Sequence, residues 1–373
     1  MWSMKVPGVR GVGGGLGRSL VGLLVFGWFL VPGVGFRALV AGASGFLGSE
    51  LCHQLADQGH QVLALVRDPE ALEPGTVPAG ARVLGCDIAR QPEMVSSIFQ
   101  SERPDVVFNT AAVFTKNYED PVAEVVEPTV AIARHIFEAC VAAGSVQRLV
   151  HTSSMAAVRA ASQPPAHADW YTAEDWNTEA RGDAAWPEPY QFAKLASERK
   201  LLQLAAAQAL EDHPVEVVSL CPSMIFGPPR CLPAVERAVS VQVVRQWLSG
   251  KRKVESRLVC DVRDVADAHI RAAIADLPWR NGAFRFILSA ETRSPASEVR
   301  ACLEEALSAV PDARDEAAAR GGVPVLQVDE AFAPAIPIGT KEVDASPASK
   351  LLGASCRSPL DTISDMAKTL LCV

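Results

Sequence analysis

The sequence predicts an α/β fold in which a parallel sheet carries helices on both faces and is followed by a smaller, mostly helical unit. Three observations carry that prediction. Residues 37–48 read RALVAGASGFLG, an apolar run, then glycines at 42, 45 and 48, then a helical pattern. Short apolar runs and helical stretches then alternate as far as about residue 225. Beyond Gly227 the alternation lapses. A sheet of this kind opened by such a turn is a Rossmann-type, doubly wound parallel sheet, expected over 37–225 with 283–289 as a returning strand. Residues 226–373 are then the substrate-binding unit.

Each element has a local reason. Gly42 permits a sharp turn, Gly45 lets a phosphate approach the backbone with no Cβ in the way, and Gly48 lets the next helix pack closely on the strand. Leu47, Leu51 and Leu55 share one face of that helix, and Gly59 stands where a glycine terminates it. With Ser44 and Phe46, the turn presents free N–H groups and a positive dipole end to an anion. The second strand is Gln61 to Val66, followed by Arg67. In a dinucleotide fold the side chain just past this strand lies beside the adenosine ribose, where an acid accepts from a 2′-hydroxyl and an arginine pairs with a 2′-phosphate. Arg67 therefore favours NADP, with Asp68 beside it as the competing fact.

Arg82 to Leu84 is a third strand, after which Asp87 could accept from an adenine amino group and Ile88 pack on its ring; a turn or cap role for the aspartate is the plainer alternative. The fourth strand, Asp105 to Asn109, runs into Thr110, Ala111 and Ala112, small residues that leave room for a ribose and nicotinamide. Val122 to Ala142 follows as a helix ended by Gly144. Arg148 to His151 is the fifth strand, and Thr152, Ser153 and Ser154 place hydroxyls at its carboxyl end. The stretch from Arg159 to Pro189 is a long connection rich in Pro, Ala and aromatic residues, expected to border the substrate cavity with its tryptophans lining the cavity or pinning the loop. Tyr190 and Lys194 then stand one helical turn apart in YQFAK. An ammonium beside a phenol stabilises the phenolate and brings a pKa near ~10 toward use. Glu216 to Leu220 is the sixth strand. After it come a helix over Ala234 to Leu248, an extended Leu258 to Asp261, a helix capped by Asp264 and running through Ala275, and a last strand over Phe284 to Leu288. Beyond Glu291 the pattern is mostly helical, least regular between Pro311 and Pro337.

Composition bounds the rest. Among 373 residues, 49% are apolar and 21% charged, and the formal charge is −8, which disfavours a nucleic-acid surface. Nine cysteines lie without CxxC pairs or histidines at metal spacing, so neither a metal site nor a disulfide framework is expected, and a reducing compartment is. Residues 1–36 stand apart: Lys5, Arg10 and Arg18 precede an uncharged apolar stretch over 19–36, a candidate leader, membrane contact or plain extension. Neither a monomer nor a homodimer is favoured.

In this order, the glycine turn, the serines after the fifth strand, YQFAK at 190–194 and CPSMIFGPP at 221–229 resemble the extended short-chain dehydrogenase/reductase family. Within it, the nearest likeness is to dihydroflavonol reductases, cinnamoyl-CoA reductases and yeast-type aldehyde reductases. That likeness is carried by VRDP at 66–69, VVEP at 125–128, VHTSS at 150–154, YTAEDWN at 171–177, DVRDVADAH at 261–269 and VDASPASKLLG at 343–353. It implies Ser154 as the catalytic serine, with Ser153 as fallback, and Tyr190 and Lys194 as its partners. It implies cofactor contacts at Gly42, Ser44, Gly45, Phe46, Leu47, Gly48, Arg67, Asp87, Ile88, Ala111, Ala112, Tyr190, Lys194 and Pro222. Two positions depart from relatives. Asn109 replaces a common histidine, and Met155 and Ala156 stand where sugar-nucleotide dehydratases carry an acidic pair. The expected activity is NADPH-dependent reduction of a small carbonyl substrate. A 3β-hydroxysteroid-type dehydrogenase, a sugar-nucleotide epimerase and a non-enzymatic NADP-binding sensor are the alternatives.

Overall fold

The computed structural model describes residues 35–236, 238–278, 282–310, 325–329 and 334–372. Most of the candidate leader, residues 1–34, and most of the irregular stretch after Pro311 lie outside the described residues.

Seven parallel strands form one sheet. They are β1 (Arg37–Ala41), β2 (Gln61–Val66), β3 (Arg82–Gly85), β4 (Val106–Asn109), β5 (Arg148–Thr152), β6 (Glu216–Pro222) and β9 (Ala283–Leu288), in the spatial order β3-β2-β1-β4-β5-β6-β9. The order reverses between β1 and β4, and the crevice at that switch, above the strands' carboxyl ends, is where such sheets bind ligands. A separate pair, β7 (Met224–Phe226) and β8 (Val259–Asp261), lies outside the main sheet.

Both faces of the sheet are dry, which explains why its strands are apolar runs rather than alternating ones. In β1, Ala38 and Val40 face one core with Leu47, Leu51 and Leu55 of α1 (Phe46–Asp57) and with α8 (Val262–Ile274). Leu39 and Ala41 face the opposite core with α2 (Pro92–Glu102), α3 (Glu127–Ala143) and α5 (Glu188–Gln208). A third core joins Phe226, Trp247, Leu303 and Met366, packing α7 (Val239–Leu248) and α9 (Ala296–Ala309) against the helix Pro359–Leu371.

Four expectations change. Phe36, assigned to the leader, is 4% exposed and stacks on His60 with ring centroids 3.8 Å apart, so the fold begins before the first strand. Asp261, not Asp264, caps α8 by accepting from Arg263 N; Asp264 lies in the first turn and pairs with Arg357 instead. The helix expected over Ala234 to Leu248 is interrupted, with α6 (Leu232–Val235) separated from α7. The helix expected over Val122 to Ala142 opens with a π-helical turn, Val122–Val126, before α3 proper and ends on Gly144 at φ +61°. All nine cysteines are unpaired, six of them buried.

Candidate active site

Three strand ends and two helices converge on a cavity of about 570 Å³. Its walls include Phe46 and Leu47 from α1, Thr110, Ala112 and Phe114 after β4, Thr152, Ser153 and Ser154 after β5, Tyr190 and Lys194 from α5, and Pro222 after β6.

The glycine turn sits at one side. Gly42 has φ +82°, and a Cβ there would stand 2.9 Å from Ala111 N, so only glycine fits. A Cβ on Gly48 would fall 2.1 Å from the Gly42 carbonyl oxygen, fixing the close helix–strand approach. Gly45 is different. Its Cβ would meet the protein only at Gly42 O, 3.3 Å away, so the demand for glycine comes mainly from the outer, exposed side. Gly45 is the N-cap of α1, no side chain caps that helix, and its first turn holds no acid. The uncapped N–H groups, the dipole and the open glycine face fit a dinucleotide's diphosphate.

Arg67 is exposed directly after β2, whereas Asp68 accepts from Glu70 N at 3.0 Å and is occupied in the turn. That leaves the arginine to meet whatever lies beside the ribose. Asp87 accepts from Ala89 N at 3.1 Å, the plain turn role, while Ile88 is buried and its carbonyl meets His135 Nδ1 at 2.8 Å. Ala111 and Ala112 are half-buried beyond β4. Asn109 is completely buried, accepting from Ala111 N and approaching His151 Nδ1 at 3.2 Å, so its departure from histidine concerns the strand end rather than a substrate contact.

Two hydroxyls after β5 behave oppositely. Ser153 is 2% exposed and its hydroxyl is committed to Glu198 Oε2 at 2.7 Å. Ser154 is half-buried, accepts from Ala156 N at 3.1 Å as the N-cap of α4 (Met155–Val158), and hydrogen-bonds the Tyr190 phenol.

Lys194 is 3% exposed and donates to the Thr152 carbonyl at 2.6 Å. Burial pulls its pKa down to about 8, and the Glu198 carboxylate one turn further along α5 limits the fall. Tyr190 departs from the expectation of an acidified phenol. Burial pushes its pKa up, the Ser154 hydrogen bond opposes that, and the nearby lysine is directed to a backbone carbonyl. The phenol is thus a protonated donor at neutral pH.

Sequence reasoning missed what lies beneath. Glu198 receives Ser153, Ser219 at 2.5 Å and Arg285 at 2.8 Å; only its i+4 spacing from Lys194 signals that it shares the functional face of α5. Thr152 Oγ1 meets His269 Nε2 at 2.7 Å, and His269 Nδ1 meets the Val265 carbonyl at 2.7 Å. A carbonyl only accepts, so Nδ1 carries the proton and the threonine donates to Nε2. Burial lowers that imidazole to about 4, keeping it neutral.

Of the two roles open to the tryptophans of the long connection, pinning the loop is the one seen; among the described residues none lines the cavity. Trp176 lies under Arg285, with the guanidinium 3.8 Å from the ring centroid, and pins the loop. Trp186 packs on Phe114 at 4.9 Å, and Phe114 packs edge-on against Tyr190 at 4.7 Å. Of residues 159–189, only Arg159 reaches the wall.

Comparison with known proteins gives these residues their setting. Residues 38–278 match the model of the NAD dependent epimerase/dehydratase family. The chain belongs to that family. Its members are NAD(P)-dependent oxidoreductases and epimerases, which include the extended short-chain reductases. The ketoreductase azaE of Aspergillus niger is 29% identical over 265 residues, 66% of this chain and 75% of that protein. Cinnamoyl-CoA reductase CAD2 of Medicago truncatula is 29% identical over 241 residues, 62% of this chain and 71% of the relative. Among solved structures, yeast methylglyoxal/isovaleraldehyde reductase Gre2 complexed with NADPH superposes with a TM-score of 0.72 at 22% identity, covering 90% of this chain and 98% of that one.

Proposed function

We propose that this protein is an NADPH-dependent reductase of a ketone or aldehyde. The observation that carries the proposal is the convergence of the Ser154 hydroxyl, the Tyr190 phenol and the Lys194 ammonium on one cavity that also abuts the glycine turn. Uncommitted and exposed, Arg67 suits a 2′-phosphate; the NADPH-bound Gre2 neighbour and the reductase names of the relatives agree with that choice.

When bound, a reduced nicotinamide supplies the hydride. The chain's own residues do the rest. Ser154 and Tyr190 donate hydrogen bonds to the carbonyl oxygen and strengthen them as negative charge develops there. Tyr190 passes its phenolic proton to that oxygen, a direction that suits a phenol whose pKa is pushed up. Lys194, one helical turn from Tyr190 and anchored on the Thr152 carbonyl, is the positive charge on the same helix that would stabilise the phenolate left behind. With Met155 and Ala156 after the serine, the site lacks the acidic pair that a dehydration would use.

The test is a panel of carbonyl compounds followed by loss of NADPH absorbance, with Tyr190→Phe as control. The variant is expected to keep NADPH affinity within a few-fold and to lose about 10²- to 10⁴-fold in kcat. Native rates in Tyr190→Phe would discard the mechanism, and no turnover across the panel would discard the reductase assignment.

A further inference from the structure

Resting on the reductase reading, we infer that the substrate is an acidic carbonyl compound whose carboxylate or phosphate group is held by Arg159 and Arg257 in the same cavity. Among the described residues, the charged side chains of the wall are Arg159, Lys194, Arg257 and Arg293, and no carboxylate lines it. The nearest acids stand one layer back. Glu342, 3% exposed, is clamped between Arg159 at 2.8 Å and Arg293 at 2.5 Å, and Glu255 lies between Arg252 at 2.5 Å and Arg257. Each of these two carboxylates is thus shared between two guanidinium groups.

The positive charge on the wall is incompletely matched. Arg159 and Arg257 both border the cavity, and each divides its carboxylate with a second arginine, Glu342 with Arg293 and Glu255 with Arg252. Buried charge that is poorly balanced is costly, and an incoming anion would balance it. Burial pulls both guanidinium groups below their usual range; the neighbouring Arg293 adds to this for each, while Glu342 and Glu255 oppose it. An anion would relieve that repulsion. Arg159 is held in place by its stack over Tyr171, 5.1 Å from the ring centroid, and by its hydrogen bond to the Ala160 carbonyl at 3.2 Å.

The remaining wall is apolar. Met155, Met224, Ile225, Val239 and Leu258 line it with Phe114, so the body between the reacting carbonyl and the anionic end is hydrophobic or aromatic. The arginines enter from the turn after α4 and from the approach to β8, while Ser154 and Tyr190 come from the end of β5 and the start of α5.

The experiment compares three aldehydes that differ at one end: 4-formylbenzoate, 4-formylphenyl phosphate and the neutral methyl 4-formylbenzoate. For the full-length native protein with NADPH, kcat/KM for at least one anion is expected to exceed that for the ester about tenfold or more. The larger of the two ratios identifies carboxylate or phosphate. In Arg257→Gln, and separately in Arg159→Gln, that ratio is expected to fall toward one, and Arg257→Lys is expected to recover part of it. Equal turnover of anions and ester by the native protein, or ratios unchanged in both glutamine variants, would overturn the inference and leave the reductase standing. Calorimetric titration of the NADPH-loaded protein with terephthalate reads the site without turnover. Binding that depends on Arg257 in a protein that reduces none of the aldehydes would sink the reductase and keep the anion site, whereas no binding to the native protein would remove the site.

Discussion

Replacing Lys194 by methionine should make the cofactor-free protein more stable at neutral pH while removing its activity. The lysine is almost fully buried, and its amine has a pKa of about 8 in the folded chain against 10.5 when exposed. That gap converts to about 3 kcal/mol of preference for the neutral form. Below pH 8 both folded and unfolded chains carry the proton, so the cost of the buried charge is present in full. Between about 8 and 10.5 the unfolded chain binds more protons than the folded one, and stability rises with pH. Methionine fills a similar volume without the charge but deprives the Thr152 carbonyl of its donor, which returns about 1 kcal/mol. The net expectation at pH 7 is a variant about 2 kcal/mol more stable than the native protein. Urea denaturation of both proteins at pH 7 and near pH ~10 measures the effect, with differences between them cancelling the other titrating groups. The native protein should gain on the variant by about 3 kcal/mol across that interval. A variant that is less stable at pH 7, with a gap that does not move with pH, would refute the idea that the ammonium is held at the fold's expense.

The remaining expectations separate neighbours that look alike in sequence. Ser154→Ala should lower kcat about 10²-fold with little change in melting, whereas Ser153→Ala, which deprives the buried Glu198 carboxylate of a donor at 2.7 Å, should cost about 1–3 kcal/mol of stability and affect turnover less. Paired kinetics and denaturation decide, and the reverse pattern would exchange the two roles. Gly48→Ala places a methyl 2.1 Å from the Gly42 oxygen, where backbone meets backbone and neither can yield; about 2 kcal/mol or more of stability and most of the NADPH affinity should go, unless melting and titration show the native values. Arg67→Gln should weaken NADPH about tenfold or more and leave NADH nearly unchanged, read as thermal shifts with each nucleotide; equal losses for both would place the 2′-phosphate elsewhere.

What the sequence revealed of this fold follows from which interactions are local. The second strand is bounded as expected, Gln61–Val66, because an apolar run between Gly59, at φ +81°, and a charged pair has one way to lie. Glycine positions were legible for the same reason: a positive φ or a backbone contact needs that residue whatever the rest of the chain does. Asp261 and Asp264 show the opposite case. Both are acids at the start of one apolar helical pattern, and only the Arg263 N–H that Asp261 receives decides between them. The serine pair was ambiguous likewise, since Ser153 is distinguished by Glu198, forty-five residues away. Cavity arginines at 159, 257 and 293 carry no periodic signature, because three distant segments bring them together.

The layer beneath the cavity explains how the fold tolerates the lysine at all. A lone ammonium in a dry interior would give up its proton near neutral pH, and Lys194 is held short of that by one carboxylate on its own helix face. Glu198 could not serve if it were itself unsatisfied. It is met instead by Ser153 from the end of β5, Ser219 from β6 and the Arg285 guanidinium from β9, so three adjacent strands of the sheet hold one side chain of α5. Arg285 in turn donates to the Ala173 and Asp175 carbonyls and lies over Trp176, which ties the long connection to the same point. The connection that delivers Tyr190 to the cavity is therefore anchored through the acid that keeps Lys194 charged. Loosening either end should disturb Tyr190 and Lys194 together, the pair on which the proposed mechanism depends. Such coupling is what the proposed mechanism would require of its phenol and ammonium, and a helix packed on the sheet by apolar contacts alone would gain nothing from so costly a set of buried polar groups.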